Sequence, residues 1–288
     1  MTGTSPPAQL GYPRGVDHVV IGLVPTVVDD DETVEHLEVV RGTMARALGT
    51  PCAIHRAVSP GALLFAFGSG AVHLAWSSPT LALTAPEMRD ATPICCSIRE
   101  GVAHYHGVLF VRNAAHIASP LQLRGRRAAW VAGTSAAGFI FPRVALAGHG
   151  IDPESLFSEE RYLGSYGAVA RAVRDDFADV GASFAVFEGG DATRPMLRSG
   201  FTQVEGCEDM RVILSTPPIP ADLWVASRTL MEALGRPALE GALQALASEA
   251  PEAIRRVFGA EAFEPTDERG LADLRRQLDD ARQLGVIS

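Results

Sequence analysis

Apolar residues in this chain fall into short β-branched runs that alternate with stretches of helical spacing. The run over residues 18–25 (HVVIGLVP) is rich in valine and isoleucine and ends in proline, which predicts a buried strand. Asp29, Asp30, Asp31 and Glu32 follow, and negative charge suits a helix N-terminus. Val34, Leu37, Val40, Met44 and Leu48 then recur at helical spacing up to Gly49. A strand over 53–58, a helix over 60–68 and a strand over 71–76 come next. A short helix then opens at Ser78-Pro79, with serine as cap and proline in the first turn. This βαβα order argues for a parallel sheet covered by helices.

A second series begins near Tyr105. It predicts strands over 108–111 and 128–132, a helix over 137–147 closed by Gly148 and Gly150, a strand over 162–164, a helix over 168–173 and a strand over 180–187. A polar, glycine-rich stretch over 188–206 leads to a strand over 211–214, and Pro217, Pro218 and Pro220 mark the exit. The tail is helical over 230–246, 251–258 and 271–284. The order predicts two α/β lobes, one inserted in the other: residues 1–104 with 216–288, and residues 105–215. A ligand is expected in the cleft between such lobes, with hinge closure over it.

Composition narrows the chemistry. At 288 residues and 47% hydrophobic, the chain can bury a large core without disulfides, and disordered, collagen-like and coiled-coil classes are excluded. A net charge of −9 without a basic run argues against nucleic acid as partner. No apolar stretch reaches the roughly 18 residues of a membrane-spanning helix, so no membrane insertion is expected. All 25 basic residues are arginine. Without lysine there is no Schiff base, no lysine-anchored pyridoxal phosphate and no P-loop lysine, and no cofactor is expected. Cys52, Cys95, Cys96 and Cys207 show no CxxC spacing and read as small buried thiols. His104 and His106 would share one strand face and could hold a metal, but no third ligand is identifiable, so no metal is expected. The first fifteen residues lack the charged start and apolar segment of a secretory signal. The chain as it stands therefore reads as cytoplasmic, or as extracytoplasmic if an export signal is missing from it.

One segment carries anion chemistry by its residue types. Gly133-Thr134-Ser135-Ala136-Ala137-Gly138 lies between a predicted strand and a predicted helix. Small side chains let an anion approach the backbone, and the N–H groups of a first helical turn point outward. Thr134 or Ser135 adds a hydroxyl donor, or merely caps the helix; the two roles are compatible. Trp76, Ser77 and Ser78 end a strand and open a helix in the first lobe. They are a mirror candidate, with the serines as donors and the indole as wall, or simply a cap beside a core aromatic. Tyr105, near the crossover, is a further candidate for the cleft.

Taken together, several segments resemble the phosphate/phosphite/phosphonate-type (PhnD-like) substrate-binding proteins of ABC transporters, which have the type II periplasmic-binding-protein fold. They are Tyr105-His106-Gly107-Val108-Leu109-Phe110-Val111-Arg112, the stretch from Ile117 to Trp130, Ser135-Ala136-Ala137-Gly138, Gly150-Ile151-Asp152-Pro153, Gly164-Ser165-Tyr166 and Ala178-Asp179-Val180-Gly181-Ala182. The segment from Gly68 to Trp76 and the exit Pro217-Pro218-Ile219-Pro220-Ala221-Asp222 extend the likeness over about residues 18 to 265. The resemblance implies two lobes, each a mixed, mostly parallel sheet flanked by helices, that capture a small oxyanion. It implies an ABC permease as partner, and ligand contacts from Thr134, Ser135, Ala136, Ala137, Ser165, Tyr166 and Asp222. Departures are informative. Where the family loop reads Ser-Thr-Ser-Gly, Ala136 and Ala137 lack hydroxyls; Tyr166 replaces a histidine and His73 an aspartate. A family carboxylate that clamps an aminoalkyl group falls at Val186, with Glu188 two residues away, while Asp222 keeps the other. These changes imply a small anion other than aminoethylphosphonate, or a partly aromatic acid. Two alternatives share the fold. One is a cytoplasmic enzyme acting on a small carboxylic acid, a chorismate-dehydratase-like lyase using Asp222, Tyr166, Glu188 or His73 for proton transfer. The other is a cytoplasmic ligand sensor.

Overall fold

The structure, a computed structural model, describes residues 16–24, 30–283 and 285. The expectations for residues 1–15, Pro25, Asp29 and Leu284 lie outside the described residues. The chain runs β1 (Val19–Leu23), α1 (Asp31–Leu48), β2 (Cys52–Arg56), α2 (Pro60–Gly68), β3 (Leu74–Ser77), α3 (Pro79–Thr84), β4 (Thr92–Ile98) and β5 (His104–Arg112). It continues through β6 (Arg127–Trp130), α4 (Phe141–Gly148), β7 (Glu159–Tyr162), α5 (Tyr166–Arg174), β8 (Val180–Phe187), β9 (Met196–Ser199), β10 (Met210–Ser215) and β11 (Ile219–Pro220). Then come β12 (Leu223–Ala226), α6 (Arg228–Leu234), α7 (Arg236–Glu249), α8 (Pro251–Phe258), β13 (Ala262–Pro265) and α9 (Glu268–Gln283).

Local chemistry sets the helix ends. Asp30 caps α1 by accepting the Thr33 N–H at 2.8 Å, and Gly49, at φ 64°, closes it in the left-handed region that glycine adopts without penalty. Ser59 and Ser78 cap α2 and α3 ahead of prolines in their first turns.

The chain packs as two compact units. Among the described residues the first comprises 16–24, 30–77, 87–95 and 224–265; the second comprises 78–86, 96–223, 266–283 and 285. The expected boundaries at 104/105 and 215/216 thus shift to 95/96 and 223/224. The C-terminal helix α9, expected in the first lobe, joins the second because Leu274, Leu278 and Ala281 on its apolar stripe pack into that unit's core.

The first unit carries a six-stranded sheet in the order β13-β4-β12-β3-β1-β2, with β1 parallel to both β2 and β3. Its core includes Trp76, Trp224, Phe258 and Phe263, stacked edge-on in successive pairs. The second unit carries a seven-stranded mixed sheet, β10-β5-β8-β6-β7, with β11 added to β5 and β9 to β8. Parallel pairing holds at β6–β7 and β6–β8. Around β5 and β8 the expected parallel majority gives way to antiparallel pairs: β5 with β8, β10 and β11, which return to it from later in the chain, and β8 with β9, the strand that follows it. β5 is buried on both faces: Leu109 and Val111 enter one core cluster, Val108 and Phe110 the other.

A tight hairpin joins β4 to β5. Arg99 and Val102 exchange backbone hydrogen bonds of 2.9 and 3.0 Å around Glu100 (φ 53°) and Gly101 (φ 73°). Two positive φ values make this the turn that matches strand twist, and Glu100 sits there in a conformation that costs a side-chain-bearing residue energy.

Candidate anion-binding site

Within the second unit, five stretches of chain converge on a cavity of about 330 Å³. The hairpin after β4 supplies Arg99 and Val102, β5 supplies His104 and Tyr105, α5 supplies Tyr166, β8 and β9 supply Phe184, Val186 and Arg198, and the segment after β11 supplies Ala221 and Asp222. Strand geometry explains the grouping. Phe184 and Val186 are two apart on β8 and share a face, and Arg198 on β9 is the cross-strand partner of Val186. Tyr105 pairs across the sheet with Ile219, which brings Asp222 alongside.

Tyr166 opens α5 behind its cap Ser165, whose exposed hydroxyl accepts the Ala168 N–H at 3.2 Å. The Tyr166 ring meets Phe184 edge-on at 5.1 Å, and the Ser135 side chain lies near enough to draw the phenol's pKa down. That nearness places the glycine- and alanine-rich turn beside the cavity. Ser135 caps the turn by accepting the Gly138 N–H at 3.1 Å. The helix begins not as an α-turn but as a π-turn over Ala136–Ile140, in which the Ile140 N–H reaches the Ser135 carbonyl at 2.9 Å. The wider turn loosens the backbone at its start, a feature that recurs at functional sites. Thr134 is exposed and Ser135 and Ala136 are half-buried, but Ala137 is fully buried among core side chains, so it can offer a ligand only its backbone N–H. Packing there is close: a Cβ on Gly107 would come within 3.3 Å of the Ala137 α-carbon.

Two guanidinium groups, two phenols and one carboxylate line the cavity, and each guanidinium has a carboxylate partner. Arg99 Nη2 lies 2.6 Å from Asp222 Oδ2, so the carboxylate is already matched by a cation. Arg198 Nε lies 2.9 Å from Glu100 Oε1, and its guanidinium covers the Phe184 ring at 5.1 Å from the centroid. Burial, then the Tyr166 hydroxyl and the Asp222 charge, push the Tyr105 phenol well above its ordinary range, against a smaller opposing pull from Arg99. Burial likewise raises Tyr166, partly offset by the nearby Ser135 side chain. Both phenols therefore remain protonated donors at neutral pH.

The remaining candidates are placed elsewhere. Trp76, 4% exposed, packs against Phe258 in the first unit's core, and Ser77 is fully buried on β3. Ser78 caps α3 through the Leu81 N–H. His73 belongs to the first unit and accepts the Val20 N–H on Nδ1 at 3.0 Å; burial and His18 hold its pKa below the usual value. Glu188 is an exposed turn residue whose N–H bonds the Pro195 carbonyl. Of the proposed proton-transfer set, only Tyr166 and Asp222 share the cavity. The Nε2 atoms of His104 and His106 lie 3.0 and 3.1 Å from the Gly190 carbonyl oxygen, and His106 Nδ1 lies 2.8 Å from the Thr216 carbonyl oxygen. Among the described residues no cluster of three or more His, Cys, Asp or Glu side chains could hold a metal ion, and no helix is long and apolar enough to cross a membrane.

Sequence reasoning missed Arg99 and Arg198. Arg-Glu-Gly after the apolar run 94–98 is a turn signal that could have found the first; nothing local marks the second.

Two α/β units, one with an arginine- and tyrosine-lined cavity, define the type II periplasmic-binding-protein fold. The chain belongs to the family described as ABC transporter, phosphonate, periplasmic substrate-binding protein, which matches residues 21–271. The members of that family bind small anionic solutes and work with a membrane permease, and small-anion binding is the function of this chain. No curated protein sequence matches it. Among solved structures it is similar to XAC2383 from Xanthomonas citri bound to ATP, at 21% identity and TM-score 0.71, covering 93% of this chain and 99% of that one. It is also similar to PhnD1 from Prochlorococcus marinus in complex with methylphosphonate, at 15% identity and TM-score 0.61, covering 94% and 99%. A binding protein component of an ABC phosphonate transporter from Pseudomonas aeruginosa matches at 18% identity and TM-score 0.58, covering 92% and 88%.

Proposed function

We propose that the ligand is a small phosphorus oxyanion, held by the second unit between the Ser135 turn and the tyrosine-lined cavity and passed outside the cytoplasm to an ABC permease. The observation that carries this reading is the nearness of Ser135 to Tyr166, which brings a helix-initiating turn beside a cavity lined by two arginines. The Ser135 hydroxyl oxygen accepts the Gly138 N–H, and the phenolic O–H of Tyr166 is a neutral donor for a ligand oxygen. The N–H groups of Ala136 and Ala137, in the first turn, supply further donors with no side-chain hydroxyl needed. Tyr105 adds another neutral donor. Methylphosphonate and ATP, the ligands of two similar structures, both carry such oxyanions.

A thermal-shift panel of methylphosphonate, phosphite, phosphate, sulfate and an aromatic carboxylate tests the reading. A ligand present at about a hundred times its Kd stabilises the native state by about 2.7 kcal/mol, a shift of several degrees. A phosphorus oxyanion is expected to give that shift, and Ser135→Asp, which puts a like charge in the turn, is expected to remove it. A shift only with the aromatic carboxylate, or one that survives Ser135→Asp, would contradict the reading.

A further inference from the structure

The walls of the cavity carry information about the part of the ligand that is not the phosphorus group. An ammonium-bearing tail needs a carboxylate that is open to it. Asp222 is the carboxylate lining the cavity, and its Oδ2 lies 2.6 Å from Arg99 Nη2. Val186, on the same face as Phe184, adds an apolar wall and no charge. Both arrangements work against a cation. Each guanidinium already has one carboxylate partner, Arg99 in Asp222 and Arg198 in Glu100, and a planar guanidinium can take a second. Arg198 carries five N–H donors, its Nε lies 2.9 Å from Glu100 Oε1 in an ion pair, and the Phe184 ring lies beneath its guanidinium. A planar, fixed guanidinium at the edge of a cavity is suited to accept a carboxylate or a second oxyanion.

We infer that the solute has two anionic ends, a phosphorus oxyanion at the Ser135 turn and a carboxylate-like group on Arg198 with Arg99 behind it, and that an ammonium in that second place is rejected. This rests on the proposed oxyanion site. Arg198 and Arg99 are then the specificity-determining residues. Glu100, held at positive φ and paired with Arg198, competes with the ligand's second anion for the same guanidinium.

The test is isothermal titration of the full chain with three phosphonates of similar size: carboxyethylphosphonate, propylphosphonate and aminoethylphosphonate. The expected order of affinity is carboxyl over alkyl over amino, with about a tenfold step or more for the charge-assisted contact to Arg198. Arg198→Gln is expected to bring the carboxyl-to-alkyl ratio close to one, and Glu100→Gln to raise it; circular dichroism melts verify that each variant is folded. An amino ligand that binds as tightly as the alkyl one, or a carboxyl-to-alkyl ratio near one in the parent chain, would overturn the inference while leaving the oxyanion site standing. Failure of all three phosphonates to bind would instead count against the oxyanion site on which the inference rests, and would overturn both.

Discussion

At the scale of single residues, the proposed site draws on neutral donors whose protons are held by their surroundings. Burial leads in raising both Tyr105 and Tyr166, and in Tyr105 the Asp222 charge adds to it. A phenol whose folded pKa is raised keeps its proton beyond the pH at which a free tyrosine loses it. Methylphosphonate affinity is therefore expected to hold from about pH 8 to about pH 10, where an ordinary tyrosine begins to ionise; a fall in calorimetric affinity across that window would contradict the assignment of these hydroxyls as donors. Tyr166→Phe removes one donor to a charged acceptor and is expected to weaken binding by roughly tenfold or more. Tyr105, Tyr166 and Asp222, which line one cavity, are marked in the sequence by residue type and family spacing. The arginines are not, because Arg99 finds Asp222 across 123 positions and Arg198 finds Glu100 through a strand hidden in a polar stretch. Trp76 and Ser77 illustrate the converse: a strand end that reads as a site proves to be core, since burial is decided by partners such as Phe258 that lie far along the chain.

Secondary-structure elements were legible where punctuation is strong. Helices α2 and α8 and strand β8 fall at their expected limits, bounded by Ser-Pro, Ala-Pro and the glycine-rich stretch that follows Phe187. Strand β4 was unread because Cys95, Cys96 and Ser97 replace the β-branched residues that announce a strand, and β12 because four residues after a proline-rich exit carry too little pattern. The expected helix over 230–246 divides at Gly235, whose φ of 76° breaks it into α6 and α7 ahead of Pro237. Caps set the acid response at this scale. The Asp30 carboxyl, bonded to Thr33 and paired with Arg256, is held at about 2 against an ordinary 3.8. Its contribution is complete above the ordinary value and is lost as the pH falls through the lowered one. Melting curves of the parent chain and Asp30→Asn are expected to differ at neutral pH and to converge as the pH approaches 2; curves equally separated at both ends would contradict the role given to the charge.

At the scale of the whole molecule, the family and the α/β architecture of each unit account for a protein that takes up small anions for a transporter. The second unit holds every residue of the proposed site, including Arg99 and Asp222 at its margins, and the C-terminal helix α9 packs on its core rather than on the first unit. The sequence order alone suggested an insertion, but the chain changes units within β4 and β12, two of the strands that the pattern did not reveal, and again at 77/78, 86/87 and 265/266. The most direct measurement is a crystal structure of the chain grown with methylphosphonate. The account predicts phosphonate oxygens within about 3 Å of the Tyr166 hydroxyl and of the backbone N–H groups of the turn after Ser135. A phosphonate bound elsewhere, with that turn and Tyr166 out of reach, would contradict it.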